Sequence, residues 1–284
     1  MSWRKNKLVF TVGVGLLVGQ ILTAQPALYS GAGEGANFSN PANWRDANEL
    51  LNARMISFAQ GSTTRETPAV LDAEFDLLGK SLDVQDYGPA GANLLISPSS
   101  EVRPASLRVG QTGGKRQVSP GIVQLGNGAR VITAARNNGQ LLVGTGAAGA
   151  LILMPESFVR FGRIHFGEKG QVALVADSTS IPFLEQWQSA DREADYRFDG
   201  RLIVHLQQLE QPGTHVILRS ELAVLQGRLA AWLNEQGGKV AGAGSGVHGN
   251  GVFEIAAADN WNWTLNLTDA GRNLRLELSR RAGQ

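Results

Sequence analysis

The 284-residue chain contains no cysteine. Disulfide staples and thiolate metal sites are therefore excluded, and stability must come from core burial and backbone hydrogen-bond ladders. The same absence rules out lipid attachment through a cysteine at an export cleavage site. There are only four histidines, His165, His205, His215 and His248, and none stands at metal-ligand spacing from another. Aromatic residues make up 7% and charged residues 18%. No basic run interleaves with aromatics, so nucleic acid has no footprint here. A nucleophile elbow, a phosphate loop and a zinc motif are all missing. No cofactor is expected.

Long hydrophobic runs are missing too, apart from one near the N-terminus. Arg4, Lys5 and Lys7 precede the apolar stretch 8–22, and the small residues Thr23 and Ala24 follow it. That order reads as an export signal, residues 1–24, cleaved after Ala24 or alternatively after Ala27. The apolar stretch is shorter than the roughly 20 residues that span a bilayer. The expectation is an exported protein, extracellular, cell-surface or periplasmic, with no integral span after cleavage. The net charge of +1 includes the three cations of the signal, so the remainder is slightly acidic.

Glycine is what the chain has in abundance, with 35 residues. Between 94 and 176 the glycines, with Asn, Ser and Pro, separate eight short apolar runs: 94–96, 107–109, 122–125, 131–133, 141–143, 151–153, 164–166 and 172–175. Each run is too short for a helix and rich in β-branched residues, which suits strands joined by turns. Regular spacing of this kind points to an all-β solenoid, a β-helix of three to four coils in this region, or to a β-sandwich. Residues 25–36 read as a linker, 37–220 as the β-helix-like domain and 221–284 as a cap.

Further strands are expected at 54–59, at Leu82 and Val84, at 201–206 and at 214–219. Trp44 is expected to cover the first open end of the core. Pro182, Leu184 and Trp187 suggest a short amphipathic helix or an ordered loop over 182–193, and Leu222, Leu225, Leu229, Trp232 and Leu233 a helix over 221–235. The stretch 239–251 reads as a Gly-rich loop. Trp261, Trp263, Leu265 and Leu267 alternate with polar residues, as do Leu274, Leu276 and Leu278, giving a C-terminal hairpin with one buried face.

The phrases ANFSNPANW, LRVG, VQLGNGARV and GQLLVGTGAAGALIL, with FDGRLIVHLQQLEQPGTHVILRSE, resemble secreted verrucomicrobial and planctomycete proteins with autotransporter-associated β-strand repeats. The resemblance implies a right-handed β-helix, exported or surface-associated and mostly without assigned activity. Two features of such proteins are not seen here, a membrane-embedded β-barrel and a hydrophobic sorting helix with a basic tail.

Three candidate sites stand out. Asp72, Glu74 and Asp76 at i, i+2 and i+4 would share one strand face, where carboxylates bind calcium or flank a glycosidic bond; a solvated face is the plainer reading. Asp191, Glu193 and Asp195 partly match a calcium loop, but Tyr196 stands where its glycine belongs. Trp261 and Trp263 share a strand face and would either stack on a sugar or pack in the core. The leading expectation is a structural or adhesive module whose partners are envelope or matrix polysaccharide, or copies of itself. The alternatives are a carbohydrate-binding sandwich and a polysaccharide lyase or glycosidase.

Overall fold

The computed structural model describes residues 27–46, 53–72, 75, 77, 79–85, 91–110, 120–133, 139–187, 196–257 and 259–281. Residues 1–24, read above as an export signal, and the segment 188–195 lie outside the described residues. The chain is built from strands laid into three sheets that it visits in turn.

The first sheet receives β1 (Ala27–Tyr29) and β2 (Met55–Phe58), the second β3 (Ala69–Leu71). The regular circuit then begins. Strands β4 (Ser81–Val84), β5 (Ala92–Ile96) and β6 (Glu101–Val102) enter the first, second and third sheets in that order. So do β7 (Ser106–Val109), β8 (Gly121–Leu125) and β9 (Arg130–Ile132), then β10 (Gln140–Val143), β11 (Gly149–Leu153) and β12 (Phe158–Phe161). The next circuit is β13 (Arg163–Phe166), β14 (Gly170–Val175) and β15 (Phe183–Gln186), and the last is β16 (Tyr196–Phe198), β17 (Arg201–His205) and β18 (Gly213–Ser220). Every strand from β4 to β15 pairs in parallel with the strand three later.

In-register pairing stacks like on like. Leu82, Leu107, Leu141, Ile164 and Tyr196 form one inward column of the first sheet. Leu71, Ile96, Leu125, Leu153, Leu174 and Val204 form one in the second, and Val102, Val131, Val159, Leu184 and Leu218 one in the third. All are buried, and each such side chain removed from water contributes about 1.5–3 kcal/mol. The turn from first to second sheet is tight. Gly121, Gly149 and Gly170 stack in register there, and a Cβ on any of them would press into the carbonyl of Val84, Val109 or Val143.

Both ends are closed. At the first, residues 43–45 cover the outer edge of β1, with Ser30 N–H on Asn43 O at 2.6 Å and Arg45 N–H on Leu28 O at 2.9 Å. Beneath them Tyr29, Phe38, Trp44, Phe58 and Phe75 pack ring on ring. Trp44 is buried and donates its indole N–H to Phe38 O at 2.8 Å, the end position expected of it. At the other end, α1 (Arg228–Glu235) buries Leu229, Ala230 and Leu233. It is followed by β19 (Lys239–Ala243), β20 (Gly246–His248), β21 (Phe253–Ala256), and the hairpin of β22 (Trp261–Thr268) and β23 (Asn273–Arg280). Strand β21 extends the second sheet in parallel on β17, and β23 extends the third in antiparallel on β18.

Several expectations are corrected. Residues 27–29, read as linker, are a strand whose Ala27 and Tyr29 are buried. Residues 183–186, read as helix or ordered loop, are strand β15, because Phe183 and Leu184 seat on Phe158 and Val159 of the previous circuit; this pairing outweighs the local helix signal. The second helix starts at Arg228 rather than 221. Gly227 sits at φ 88°, and Leu222 and Val224 before it face solvent, 54% and 49% exposed. The presumed loop 239–251 contains β19 and β20, and Gly242 in β19 is needed there because a Cβ would strike the Trp263 ring. The sheets are mainly parallel, whereas those of a sandwich are antiparallel.

Candidate functional site

Of the predicted site residues, Asp72, Trp261 and Trp263 are described. Trp261 and Trp263 are core, 1% and 2% exposed, which leaves no ring face for a sugar. Trp263 donates to Gly244 O at 3.1 Å and packs against Phe253 and His248. The guanidinium of Arg280 covers Trp261, 3.9 Å from the ring centroid. Strand β3 closes at Leu71, so Asp72 is past the strand and does not begin a strand face. Its Oδ2 accepts the Ser39 hydroxyl at 2.7 Å, tying two successive circuits together. Glu74 and Asp76, like Asp191, Glu193 and Asp195, lie outside the described residues. Among the described residues no group of three or more His, Asp or Glu is placed to hold a metal. No described helix is long and apolar enough to cross a membrane.

The histidines are scattered. His165, on the first sheet's outer face, has Nε2 3.8 Å from Asp199. His205 borders a shallow hollow of about 240 Å³ with Val175, Ala176, Gln207 and Gln208. Burial lowers the pKa of His215 and of His248.

The best-organised surface is the outer face of the third sheet. Strand alternation that turns Val159 and Leu184 inward turns Phe158, Arg160, Phe183 and Glu185 outward. Register then puts Phe183 on Phe158, with ring centroids 5.5 Å apart and planes 17° from parallel. Glu185 falls between Arg160 and Arg219. Its Oε2 accepts from Arg160 Nε at 2.6 Å and its Oε1 lies 3.5 Å from Arg219 Nε. The carboxylate is 4% exposed, so this anion is hidden while the Arg219 side chain remains 56% exposed. Arg160 is clasped between the Phe158 and Trp187 rings, 5.4 Å from each centroid, and Arg130 lies 5.9 Å from the Phe158 ring centroid.

Beside this stack runs a groove of about 400 Å³ lined by Phe183, Val216, Arg219, Asn273 and Arg275. A bulge makes it. The β18–β23 register shifts between Val216 and Leu218, and β15 pairs with β18 only from Leu184–Leu218 onward, leaving Phe183 without a partner in that strand. Bulges of this kind re-aim side chains at sheet surfaces. A second hollow of about 350 Å³ is lined by Gly144, Thr145, Gly146, His165, Gly167, Glu168, Lys169 and Asp199.

The third-sheet face has no compact motif in the sequence. The usable signal is the pair of phrases FVRF (158–161) and FLEQ (183–186), each placing an aromatic and then a charge on one face. Comparison with known proteins adds no constraint: no family model, no curated protein and no solved structure matches this chain.

Proposed function

We propose that the chain is an exported, non-catalytic binding or adhesive module, a right-handed β-helix that holds an extended polysaccharide along the outer face of its third sheet. The stacked pair Phe158 and Phe183, edged by Arg130, Arg160 and Arg219, carries this reading. Outward positions on successive circuits recur about every 4.8 Å, so the face offers a repeating contact to a repeating ligand. The phrases LRVG, VQLGNGARV and GQLLVGTGAAGALIL coincide with β7, with β8 and β9, and with β10 and β11. A lyase or glycosidase reading gains less support. Glu185, the carboxylate at the centre of this face, is neutralised by two arginines, and glycoside cleavage needs a pair of available carboxyls.

The test is retention of the chain, from Gln25 onward, on insoluble and soluble polysaccharides, with the supernatants assayed for new reducing or unsaturated ends. The proposal expects retention without new ends. Release of sugar ends would replace it with the enzyme reading.

A further inference from the structure

Resting on the third-sheet face as the polymer-binding surface, we infer that the groove beside Phe183 takes the carboxylates of an acidic polysaccharide, a polymer of hexuronate units, on Arg219 and Arg275. Both arginines line the groove, and both have donors to spare. Glu185 is already held by Arg160 at 2.6 Å, so Arg219 keeps only the longer 3.5 Å contact to it. Arg275 places Nη2 on Asp269 Oδ2 at 3.1 Å, and its side chain remains 40% exposed, so the outer part of its guanidinium is open to an incoming carboxylate. The planar guanidinium fork matches a carboxylate in two-point contact, which favours uronate over neutral sugar.

The remaining walls fit the same ligand. Phe183 offers an apolar ring to the C–H face of a sugar. Asn273 is engaged at both ends of its amide, accepting from Ser220 N–H at 3.3 Å and donating to Asp269, and so forms a fixed rim. Of the anions beside the groove, Glu185 is covered and Asp269 is held by Arg275 and Asn273, while the Arg219 side chain remains 56% exposed.

Affinity electrophoresis of the full chain through gels containing polygalacturonate, its methyl ester or dextran sulfate tests this. The expected result is retardation by polygalacturonate that is lost on esterification. Arg219→Ala and Arg275→Ala should each weaken it roughly tenfold, the loss of one charge-assisted contact, with Arg219→Lys recovering only part. Melting curves check that the variants fold, and the esterification arm needs no variant. Equal retardation by the free and esterified polymers would overturn the carboxylate assignment and leave the face a polymer binder. Stronger retardation by dextran sulfate would overturn it in favour of sulfate esters. Wild-type retardation of both alanine variants would overturn the placement in this groove. No retardation by any polymer, these or neutral ones, would sink the reading of the face itself.

Discussion

Asp199 caps a helix that begins 29 residues further along the chain, its Oδ1 accepting the Arg228 N–H at 3.1 Å. The residue at the cap position, Gly227, has no side chain to do this. A Cβ there would press on Asp199 Oδ1 and Phe198 O, both 2.7 Å away. Glycine supplies the room and the last full circuit supplies the acceptor, so the helical lid is docked on the strand stack it closes.

Replacing Asp199 with alanine should therefore cost about 1 kcal/mol, the usual worth of a helix cap. Asp199→Asn should recover much of it, since an amide oxygen also accepts. Urea unfolding of the three proteins decides the matter. Loss of the ion pair to Arg197, 2.5 Å away, adds little because that arginine is about half-exposed and stays solvated.

At the turn from first to second sheet, Gly149→Ala should destabilise by about 1–3 kcal/mol, as overpacking does. The added methyl would meet the Val109 carbonyl, which is backbone and cannot swing away. Thermal melting reads this directly, and an unchanged midpoint would contradict the close approach.

The buried ion pair of the third sheet gives an asymmetric expectation. Arg160→Ala should cost about 3 kcal/mol, because it leaves the buried Glu185 carboxylate only the longer 3.5 Å contact to Arg219. Arg160→Leu combined with Glu185→Leu should cost clearly less, since the one charge of this group left behind, Arg219, is 56% exposed and solvated. Chemical unfolding of the single and double variants compares the two.

Stability should also fall as the pH drops below about 6.5. Burial depresses the folded-state pKa of His215 and of His248 below the ordinary 6.5. The unfolded chain then binds more protons in the window between the folded value and 6.5, so unfolding is favoured as pH falls through it. Replacing both by asparagine should flatten the melting temperature between pH 7 and pH 5, measured by calorimetry.

How much of this is readable in advance depends on distance along the chain. The inward columns are legible because apolar alternation is local, so Leu82 and Val84, or Trp261 and Leu265, declare their face within a few residues. Strand β15 is not legible, because Pro182 and Leu184 look helical locally and only Phe158, 25 positions before Phe183, makes them a rung. The same holds for Glu185, whose partners Arg160 and Arg219 come from the circuits on either side. Trp263 reads either as sugar platform or as core until Gly242 of β19 is seen lying against its ring. A site assembled across circuits leaves no compact motif.

The most direct test of the third-sheet face is to compare retention on immobilised polysaccharide for three proteins: the wild type, Phe158→Ala/Phe183→Ala, and His205→Ala as a control on another face. The account predicts that the double variant, confirmed as folded, passes through unretained while the control binds like the wild type. Equal retention of all three would contradict it.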